Sequence, residues 1–211
     1  WTLFHTYTFD FSSWEIYGCL LYGGTLVIVP KETTTNPRDF LKLIIDEKVT
    51  ILNQTPAYFY KVIEEEKRLQ DENTKFNLRL IILGGEAVHA EPLKYWKNKY
   101  ENIAIYNGYG PTETTIFAIM GEITYKDILN NNIFIGYPLV NYNIKIMDKN
   151  MEMLPFGCIG EICISGVGVC NGYLNNEKLT NEKFIKNEDN NSVIYKSGDV
   201  GYIGLDGRIK Y

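Results

Sequence analysis

The sequence predicts an α/β protein: a mostly parallel sheet flanked by helices, followed by a small antiparallel β-barrel-like subdomain. Two patterns support this prediction. Up to residue 131, short apolar runs alternate with amphipathic stretches, which is typical of a parallel sheet covered by helices. From residue 132 to 211, short strands alternate with Gly, Pro, Asn and Asp turns, which is typical of antiparallel sheets. We therefore divide the chain into an N-terminal region (1–131) and a C-terminal region (132–211).

The elements of the N-terminal region follow from capping residues and apolar spacing. Asn36 is a favourable helix N-cap and Pro37 suits the first helical position, so a helix is predicted to begin there. Apolar periodicity extends the assignment to helices over 36–48, 56–69 and 91–100 and strands over 49–55, 78–87 and 102–110.

The C-terminal region is predicted to consist of short strands over 141–148, 160–166, 192–204 and 208–211. The sequence LDGR at 205–208 is a hairpin signal between the last two strands. The polar segment 175–191 predicts a surface helix and a loop.

Charge and composition exclude several partners. The 21 basic and 26 acidic residues give a net charge of −5 without a basic stripe, so we expect no nucleic acid partner. No apolar run approaches the ~18 residues needed to cross a bilayer, and no signal peptide pattern opens the chain, so we expect no membrane partner and a soluble, cytoplasmic protein. Cys19, Cys158, Cys163 and Cys170 lack the spacing of a zinc site and are expected to be buried thiols.

Polar and glycine-rich stretches lie where the predicted parallel strands end. In open parallel sheets, ligands bind beyond the carboxyl ends of the strands. The stretches expected to converge there are 9–14, 52–56, 83–87 and 107–115.

The stretch YGPTE at 109–113 has the strongest chemical character. Pro111 stiffens the turn, Thr112 and Thr114 present hydroxyls to phosphate oxygens, and Glu113 offers the hard oxygen ligand that magnesium selects. The aromatic ring of Tyr109 is suited to stacking on a base. Taken alone, the same residues also fit a Pro-Gly turn with a solvated carboxylate.

Four motifs occur in the order of one known family: FDFSSWE at 9–15, NGYGPTETT at 107–115, GEICISGVGVCNGYL at 160–174 and YKSGDV at 195–200. Through them the chain resembles, from end to end, the adenylation domains of nonribosomal peptide synthetases. These domains belong to the adenylate-forming, or AMP-binding, enzymes, which include acyl-CoA synthetases and firefly luciferase. The resemblance implies the large-domain fold of those enzymes.

The resemblance also implies a nucleotide site. Tyr109 resembles the residue against the adenine, Asp199 the carboxylate that binds both ribose hydroxyls, and Tyr211 an aromatic residue near the nucleotide. Thr112 resembles the α-phosphate contact and Glu113 the Mg²⁺ ligand, which makes these two the candidate catalytic residues and ATP and Mg²⁺ the cofactors. The remaining implied nucleotide contacts are Gly85, Glu86, Ala87 and Gly110.

Asp10 is the candidate anchor for the ammonium group of an amino acid substrate. A charged ammonium in an apolar pocket requires a carboxylate partner, and the family's aspartate lies at this position. The alternative is that Asp10 caps a helix over SSWEIYG. Fatty or aryl acid substrates would not need this aspartate. Phe9 resembles an aromatic gate beside the substrate carboxylate.

The amino acid pocket implied by the resemblance is lined by Asp10, Phe11, Trp14, Asn53, Ile82, Gly84, Gly108, Ile116 and Phe117. The set from Asp10 to Gly84 resembles threonine-selecting domains, and Asn53 can bind a side-chain hydroxyl. Gly84, Gly108 and Phe117 are closer to some valine-selecting domains. We therefore expect a small or medium amino acid, threonine first and valine next.

The implied reaction forms aminoacyl-AMP and pyrophosphate, followed by transfer to the phosphopantetheine thiol of a peptidyl carrier domain. That carrier domain and a condensation domain are the implied partners in the parent chain. The alternatives are an acyl-CoA synthetase type of enzyme, a nucleotide-binding module without chemistry, and an interaction scaffold. His5 and His89 are expected in packing or surface roles.

The chain departs from the family pattern at both ends. The glycine-rich phosphate loop is expected before Trp1, and the small C-terminal domain with its lysine after Tyr211, so both are absent from this sequence. Ser197 replaces the usual threonine, and Cys170 and Asn171 replace alanine and arginine. We expect a piece of a larger protein that is catalytically inactive in isolation.

Overall fold

A computed structural model describes residues 1–69, 75–186 and 192–211. Its helices are α1 (Phe11–Leu20), α2 (Lys31–Thr34), α3 (Pro37–Asp46), α4 (Pro56–Leu69), α5 (Ala90–Lys99), α6 (Tyr125–Leu129) and α7 (Glu177–Lys183). The strands are β1 (Thr2–Leu3), β2 (Val27–Ile28), β3 (Ile51–Gln54), β4 (Leu80–Gly84), β5 (Ala104–Tyr109), β6 (Ile119–Glu122), β7 (Tyr137–Pro138), β8 (Tyr142–Met147), β9 (Gly160–Gly166), β10 (Phe184–Lys186), β11 (Val193–Ile203) and β12 (Ile209–Lys210).

The predicted helices and strands of the N-terminal region are confirmed. The Asn36 side chain accepts a hydrogen bond from the main-chain N–H of Arg38, and Pro37 is the first residue of α3, as the capping pattern predicts. The longest described helix is α4 with 14 residues. None of the helices in the described ranges has the length and apolar character needed to cross a membrane.

The chain forms two compact units, composed of Trp1–Asn107 with Glu122–Ile133 and of Gly108–Gly121 with Phe134–Tyr211. Segment 108–121 therefore groups with the later residues of the chain, whereas the sequence analysis placed it in the N-terminal region. The physical reason is a set of hydrogen bonds from this segment to later residues, such as that from Thr115 Oγ1 to the Gly168 carbonyl at 2.7 Å. That residues 1–131 carry the amino acid pocket and the turn for adenine and Mg²⁺, and residues 132–211 the ribose-binding Asp199, stays a prediction.

One five-stranded sheet is mixed rather than purely parallel. Its strand order is β3-β4-β5-β6-β7. Strands β3 and β4 are parallel, with Asn53 opposite Ile82, while β6 and β7 are antiparallel. Strands β1 and β2 form a separate parallel pair. The core of the first unit is built on large, fully buried side chains such as Trp96, Phe40 and Phe59.

A second five-stranded sheet is antiparallel, with the order β10-β11-β9-β8 and with β12 paired to β11. The hairpin predicted at LDGR is confirmed by the pairing of β11 with β12. The predicted barrel-like closure is wrong for the described strands, because β10 and β8 remain the two edges of the sheet. Strand β10 spans three residues, and β11 is the only described strand with which it pairs. Helix α7 confirms the predicted surface helix, while residues 187–191 lie outside the described residues.

Candidate functional site

The turn after β5 is held in an unusual backbone conformation. Thr112–Thr114 form a single 3₁₀ turn that follows Pro111. Thr115 and Ile116 then adopt positive φ angles of 61° and 67°. This region is unfavourable for a β-branched residue, so the turn depends on contacts from outside to persist.

The hydroxyls of the turn differ in availability. Thr112 is exposed, as a phosphate contact requires. Thr114 is fully buried and donates to the Pro111 carbonyl at 2.9 Å. The expectation that Thr114 faces a phosphate is therefore wrong, because its hydroxyl closes the turn.

The Glu113 side chain is held by a tyrosine that sequence reasoning did not identify. Tyr173 donates a hydrogen bond to Glu113 Oε1 at 2.6 Å. Burial raises the pKa of Glu113, but the hydrogen bond from Tyr173 and the nearby Lys183 charge lower it, and the net pKa lies below the ordinary value. The carboxylate is thus ionised at neutral pH.

The donor set around Glu113 fits magnesium better than zinc. The described ranges of the chain hold no cluster of three or more His, Cys, Asp or Glu side chains that suits a metal ion. Magnesium in nucleotide sites is commonly held by one or two carboxylates together with phosphate oxygens and water. The ionised Glu113 makes no ion pair with another described residue, so it is suited to this role.

Three residues that the sequence assigns to the nucleotide come together in the second unit. Tyr109 donates from its hydroxyl to Asp199 Oδ2 at 2.6 Å. The rings of Tyr109 and Tyr211 lie 5.8 Å apart at an interplanar angle of 37°. Burial first, and the Asp199 carboxylate second, raise the pKa of Tyr109, so the hydroxyl stays protonated and donates.

Asp199 owes its orientation to a β-bulge. In the β11–β9 pairing, Lys196 faces Cys163 and Val200 faces Glu161, so residues 197–199 oppose the single residue Ile162. Gly198 has a φ of +82°, which glycine adopts without strain.

Ser197 stabilises this bulge, a role that the sequence analysis did not assign to it. Its hydroxyl donates to the Ile162 carbonyl at 2.7 Å and accepts from the Asp199 N–H at 3.0 Å. The replacement of the usual threonine therefore keeps the hydroxyl that these two bonds need.

Gly108 and Gly110, in the motif at 107–115, leave space that neighbouring groups fill. A Cβ atom at Gly108 would lie 2.5 Å from the Phe117 ring. The space beside Gly108 is thus filled by Phe117, which the resemblance also assigns to the amino acid pocket. At Gly110 a Cβ would meet the main-chain oxygen of Ile116 at 2.5 Å, so the close backbone approach itself requires glycine.

In the first unit, the predicted strand-end stretches meet. A Cβ on Gly85, which has a φ of +85°, would lie 3.4 Å from the Phe9 ring and 3.9 Å from Thr55. Glu86 accepts a hydrogen bond from the Ala57 N–H at 3.2 Å and so anchors the start of α4. Gly85, Glu86 and Ala87 are exposed, which leaves this segment available to a ligand.

Three residues that the resemblance assigns to the amino acid pocket contact one another in the first unit: Trp14, Asn53 and Ile82. Trp14 Nε1 donates to Asn53 Oδ1 at 2.9 Å. Because indole nitrogen can only donate, the acceptor must be the amide oxygen of Asn53, which defines the direction of the amide group. Ile82 is the strand neighbour of Asn53, and Gly84 lies on the same face of β4 as Ile82.

The amide nitrogen of Asn53 is a buried donor. Asn53 is fully buried, and its Nδ2 has no hydrogen-bond partner among the described residues. An unpaired buried donor costs roughly 1–3 kcal/mol, so a ligand that accepts from it would be favoured.

Asp10 lies at the N-cap position of α1, but its side chain makes no capping hydrogen bond. Within the described ranges the carboxylate, which is partly buried, has no hydrogen-bond or ion-pair partner. Phe11, the next residue, is buried and stacks on the His5 ring at 4.6 Å. The helix-cap explanation for the aspartate side chain is therefore not supported.

His5 has a packing role, as predicted, and His89 is exposed. The His5 Nδ1 lies 3.0 Å from Oε1 of Glu15, whose Oε2 accepts from the main-chain N–H groups of Phe4 and His5. The fully buried Glu15 thus organises the chain just before Phe9 and Asp10.

The sequence analysis also predicts that residues of the first unit and of the second line one pocket. This stays a prediction.

The comparison with known proteins agrees with this arrangement. A family model described as "AMP-binding enzyme" matches residues 1–174. One of the subunits of plipastatin synthase from Bacillus subtilis (strain 168) is 41% identical over 100% of this chain and 8% of its own length. Tyrocidine synthase 1 of Brevibacillus parabrevis is 34% identical over 99% of this chain and 18% of its own length. A crystal structure of the nonribosomal peptide synthetase FmoA3 superposes with a TM-score of 0.91 at 26% identity, over 99% of this chain and 22% of that chain.

The mixed sheet, the open antiparallel sheet and the turn at 109–115 thus define an adenylation-type fold of the nonribosomal peptide synthetase class. The chain belongs to the AMP-binding enzyme family. It spans less than a fifth of the length of the two curated relatives.

Proposed function

We propose that this chain forms the ATP and amino acid sites of an adenylation domain in a larger nonribosomal peptide synthetase. The domain converts an amino acid and ATP to aminoacyl-AMP and pyrophosphate. The aminoacyl group then passes to the phosphopantetheine thiol of a carrier domain in the same parent chain. The observation that carries the proposal is the partly buried Asp10 carboxylate, which lacks a partner among the described residues.

An unpaired carboxylate in this position favours a cationic ligand. Leaving a partly buried charge without a partner is costly, and the ammonium group of an amino acid supplies the missing charge. Fatty and aryl acids have no such group. Asp10 therefore supports an amino acid substrate over the acyl-CoA synthetase alternative.

Each nucleotide residue has a defined task in the proposed reaction. The substrate carboxylate oxygen bonds to the α-phosphorus, and the bond from this phosphorus to the bridging oxygen breaks, so that pyrophosphate leaves with that oxygen. Thr112 donates to an α-phosphate oxygen, Asp199 orients the ribose and Tyr109 contacts the adenine. Catalysis of this kind depends on positioning and on charge stabilisation.

Glu113 is the proposed ligand of Mg²⁺, together with phosphate oxygens and water. When bound, the ion offsets the negative charge of the phosphates. The low pKa of Glu113 keeps its carboxylate ready for this role at neutral pH.

We further propose that threonine is preferred over valine. The Asn53 oxygen is already bonded to Trp14, so the buried and unpartnered Nδ2 is the donor that remains for a substrate hydroxyl. The hydroxyl of threonine can accept from this Nδ2 group, whereas the isosteric methyl of valine leaves it unpaired. A site that hydrogen-bonds a substrate group rejects analogues that lack it, here by roughly 1–3 kcal/mol.

The test of the proposed activity is amino-acid-dependent pyrophosphate exchange by the full-length protein that contains this chain. Asp10→Ala should lower kcat/KM for the amino acid about 100-fold or more, since breaking a buried ion pair costs roughly 3 kcal/mol or more. Asp46→Ala is the matched control, because Asp46 forms an exposed ion pair with Lys42 on α3. Equal exchange rates in wild type and Asp10→Ala would contradict the proposal.

The substrate preference has its own test. Exchange with threonine should exceed exchange with valine by about tenfold or more in kcat/KM, the equivalent of ~1.4 kcal/mol. Asn53→Leu removes the buried donor and should reverse the preference. A valine preference in the unaltered protein would disprove the assignment.

A further inference from the structure

The loop after β9 holds the turn that carries Glu113. The N–H of Cys170 donates to the Glu113 carbonyl at 2.9 Å, and Thr115 Oγ1 donates to the Gly168 carbonyl at 2.7 Å. Both of these bonds end on main-chain oxygens. Tyr173, further along the same loop, is different, because its hydroxyl reaches the Glu113 carboxylate itself at 2.6 Å.

The hydrogen bonds around Tyr173 have a fixed direction. A tyrosine hydroxyl carries one proton, and that of Tyr173 is donated to Glu113. The hydroxyl of Tyr195 lies 3.4 Å from that of Tyr173, so Tyr173 can only accept in this contact. Hydrogen bonds from both tyrosines lower the pKa of the Glu113 carboxyl, that from Tyr173 more strongly.

Aromatic packing restricts the movement of both tyrosines. The ring of the buried Phe184 lies 5.4 Å from the Tyr173 ring and 5.0 Å from the Tyr195 ring. Edge and tilted contacts at these distances are favourable for aromatic pairs. Tyr173 is thus itself held in place before it bonds to Glu113.

A firmly held carboxylate matters for the proposed metal. Magnesium demands near-octahedral geometry, and fixing a long side chain at a site costs conformational entropy on binding. The turn at Thr115 and Ile116 has unfavourable φ angles and does not by itself fix the Glu113 side chain. The hydrogen bond from Tyr173 to Oε1 fixes the Glu113 side chain before the metal binds.

We propose that Tyr173 is a positioning residue that holds Oε1 of Glu113 and so directs Oε2 to Mg²⁺. The inference rests on the proposed function, in which Glu113 is the metal ligand. Hydrogen-bond partners of metal-ligating side chains typically contribute about 10–100-fold to metal affinity. The same range is expected for the hydroxyl of Tyr173.

The experiment compares the full-length protein with its Tyr173→Phe variant, which loses the hydroxyl and keeps the ring. Binding of Mn²⁺, used as a paramagnetic substitute for Mg²⁺, is measured by electron paramagnetic resonance with a non-hydrolysable ATP analogue. Tyr173→Phe should weaken Mn²⁺ binding about 10–100-fold. The free Mg²⁺ needed for half-maximal pyrophosphate exchange should rise by a similar factor, with the maximal rate recovered at saturating Mg²⁺.

Two further variants separate the explanations. Tyr142→Phe removes a hydroxyl that donates at 2.6 Å to the Thr114 carbonyl of the same turn, so it controls for loosening of the backbone and should weaken Mn²⁺ binding much less than Tyr173→Phe. Equal losses in Tyr142→Phe and Tyr173→Phe would overturn the positioning role. Glu113→Gln should weaken Mn²⁺ binding at least as much as Tyr173→Phe.

The outcome for Glu113→Gln distinguishes this proposal from the proposed function. If Glu113→Gln weakens Mn²⁺ binding and Tyr173→Phe does not, the role of Tyr173 alone is wrong. If Glu113→Gln has no effect, the metal role of Glu113 fails, and the role of Tyr173 fails with it. Should Tyr173→Phe not fold, Tyr173→Leu, which also lacks the hydroxyl, replaces it: weaker Mn²⁺ binding supports the proposal, and unchanged binding overturns it.

Discussion

The hydroxyl of Tyr109 donates to Oδ2 of Asp199 at 2.6 Å, although the two residues lie 90 positions apart in the sequence. One carboxylate oxygen of Asp199 is therefore engaged by the residue proposed to contact the adenine. The bulge at 197–199 and the two hydrogen bonds of Ser197 hold the main chain of Asp199 in place. The residues proposed to contact the base and the ribose are thus hydrogen-bonded to each other within one unit.

Asp199→Ala should remove the preference for ATP over 2′-deoxy-ATP. A hydrogen bond to a charged group contributes about 1.5–3 kcal/mol, which corresponds to roughly 10–100-fold in kcat/KM for ATP. The measurement is pyrophosphate exchange by the full-length protein with each nucleotide. Asp206→Ala is the control, because Asp206 pairs with Arg208 on the surface of the same unit. A preference for ATP that persists in Asp199→Ala would rule out the ribose contact.

Trp14→Phe should destabilise the end of β3. The change leaves Oδ1 of the fully buried Asn53 without its donor, and an unsatisfied buried acceptor costs roughly 1–3 kcal/mol. Hydrogen exchange of peptides covering Ile51–Gln54 should therefore become faster. The threonine-to-valine ratio should also fall, since the amide group becomes free to rotate. Unchanged exchange in this strand would argue against the Trp14–Asn53 bond.

The sequence was sufficient for elements whose signals are local. Asn36 followed by Pro37 defines the start of α3, and the double glycine at 84–85 follows the apolar run of β4. The LDGR hairpin likewise depends on residues 204–208, where the Gly204 N–H donates to the Arg208 carbonyl at 2.7 Å. In each case the residues that determine the structure are neighbours in the chain.

Features that depend on distant pairing were missed or predicted wrongly. Tyr173 and Glu113 are 60 positions apart, and nothing in NGYL indicates that its tyrosine bonds to a carboxylate. Closure of a sheet depends on whether its edge strands meet, which strand patterns do not encode. Thr114 and Thr112 look equivalent in the sequence, but Thr112 is exposed, whereas Thr114 is buried and its carbonyl accepts a hydrogen bond from Tyr142, 28 positions later.

The four cysteines should separate into two classes on alkylation. Cys19 and Cys163 are buried, but Cys158 and Cys170 are exposed, so the expectation that all four are buried is wrong. Burial also raises the pKa of Cys163 to about 11. Because the thiolate is the reactive form, only about a thousandth of Cys163 is reactive at pH 8.

Brief treatment of the native chain with iodoacetamide at pH 8, followed by peptide mass spectrometry, measures this. Label should appear on Cys158 and Cys170 and on the other two only after denaturation. Raising the pH toward 11 increases the thiolate fraction of Cys163, but burial still restricts access to it. Rapid labelling of Cys163 at pH 8 would contradict the buried position of β9.

Gly108→Ala and Gly110→Ala should both destabilise the protein, but a second substitution should rescue only the first. The added Cβ at residue 108 meets the Phe117 ring at 2.5 Å, whereas at residue 110 it meets main-chain atoms of Ile116, Phe117 and Ala118 at 2.5–2.8 Å. Overpacking of this kind costs about 1–3 kcal/mol. A smaller side chain can relieve a clash with a ring but not one with the backbone.

Phe117→Leu provides the test. In urea unfolding, Gly108→Ala with Phe117→Leu should be more stable than the sum of the two single effects by about 0.5–3 kcal/mol, the range expected for residues in contact. Gly110→Ala with Phe117→Leu should show additive losses, because the main-chain oxygen of Ile116 and the N–H of Ala118 remain in place. Equal coupling energies in the two double variants would mean that both added Cβ atoms clash with the Phe117 side chain. This result would contradict the close approach of the main chain to Gly110.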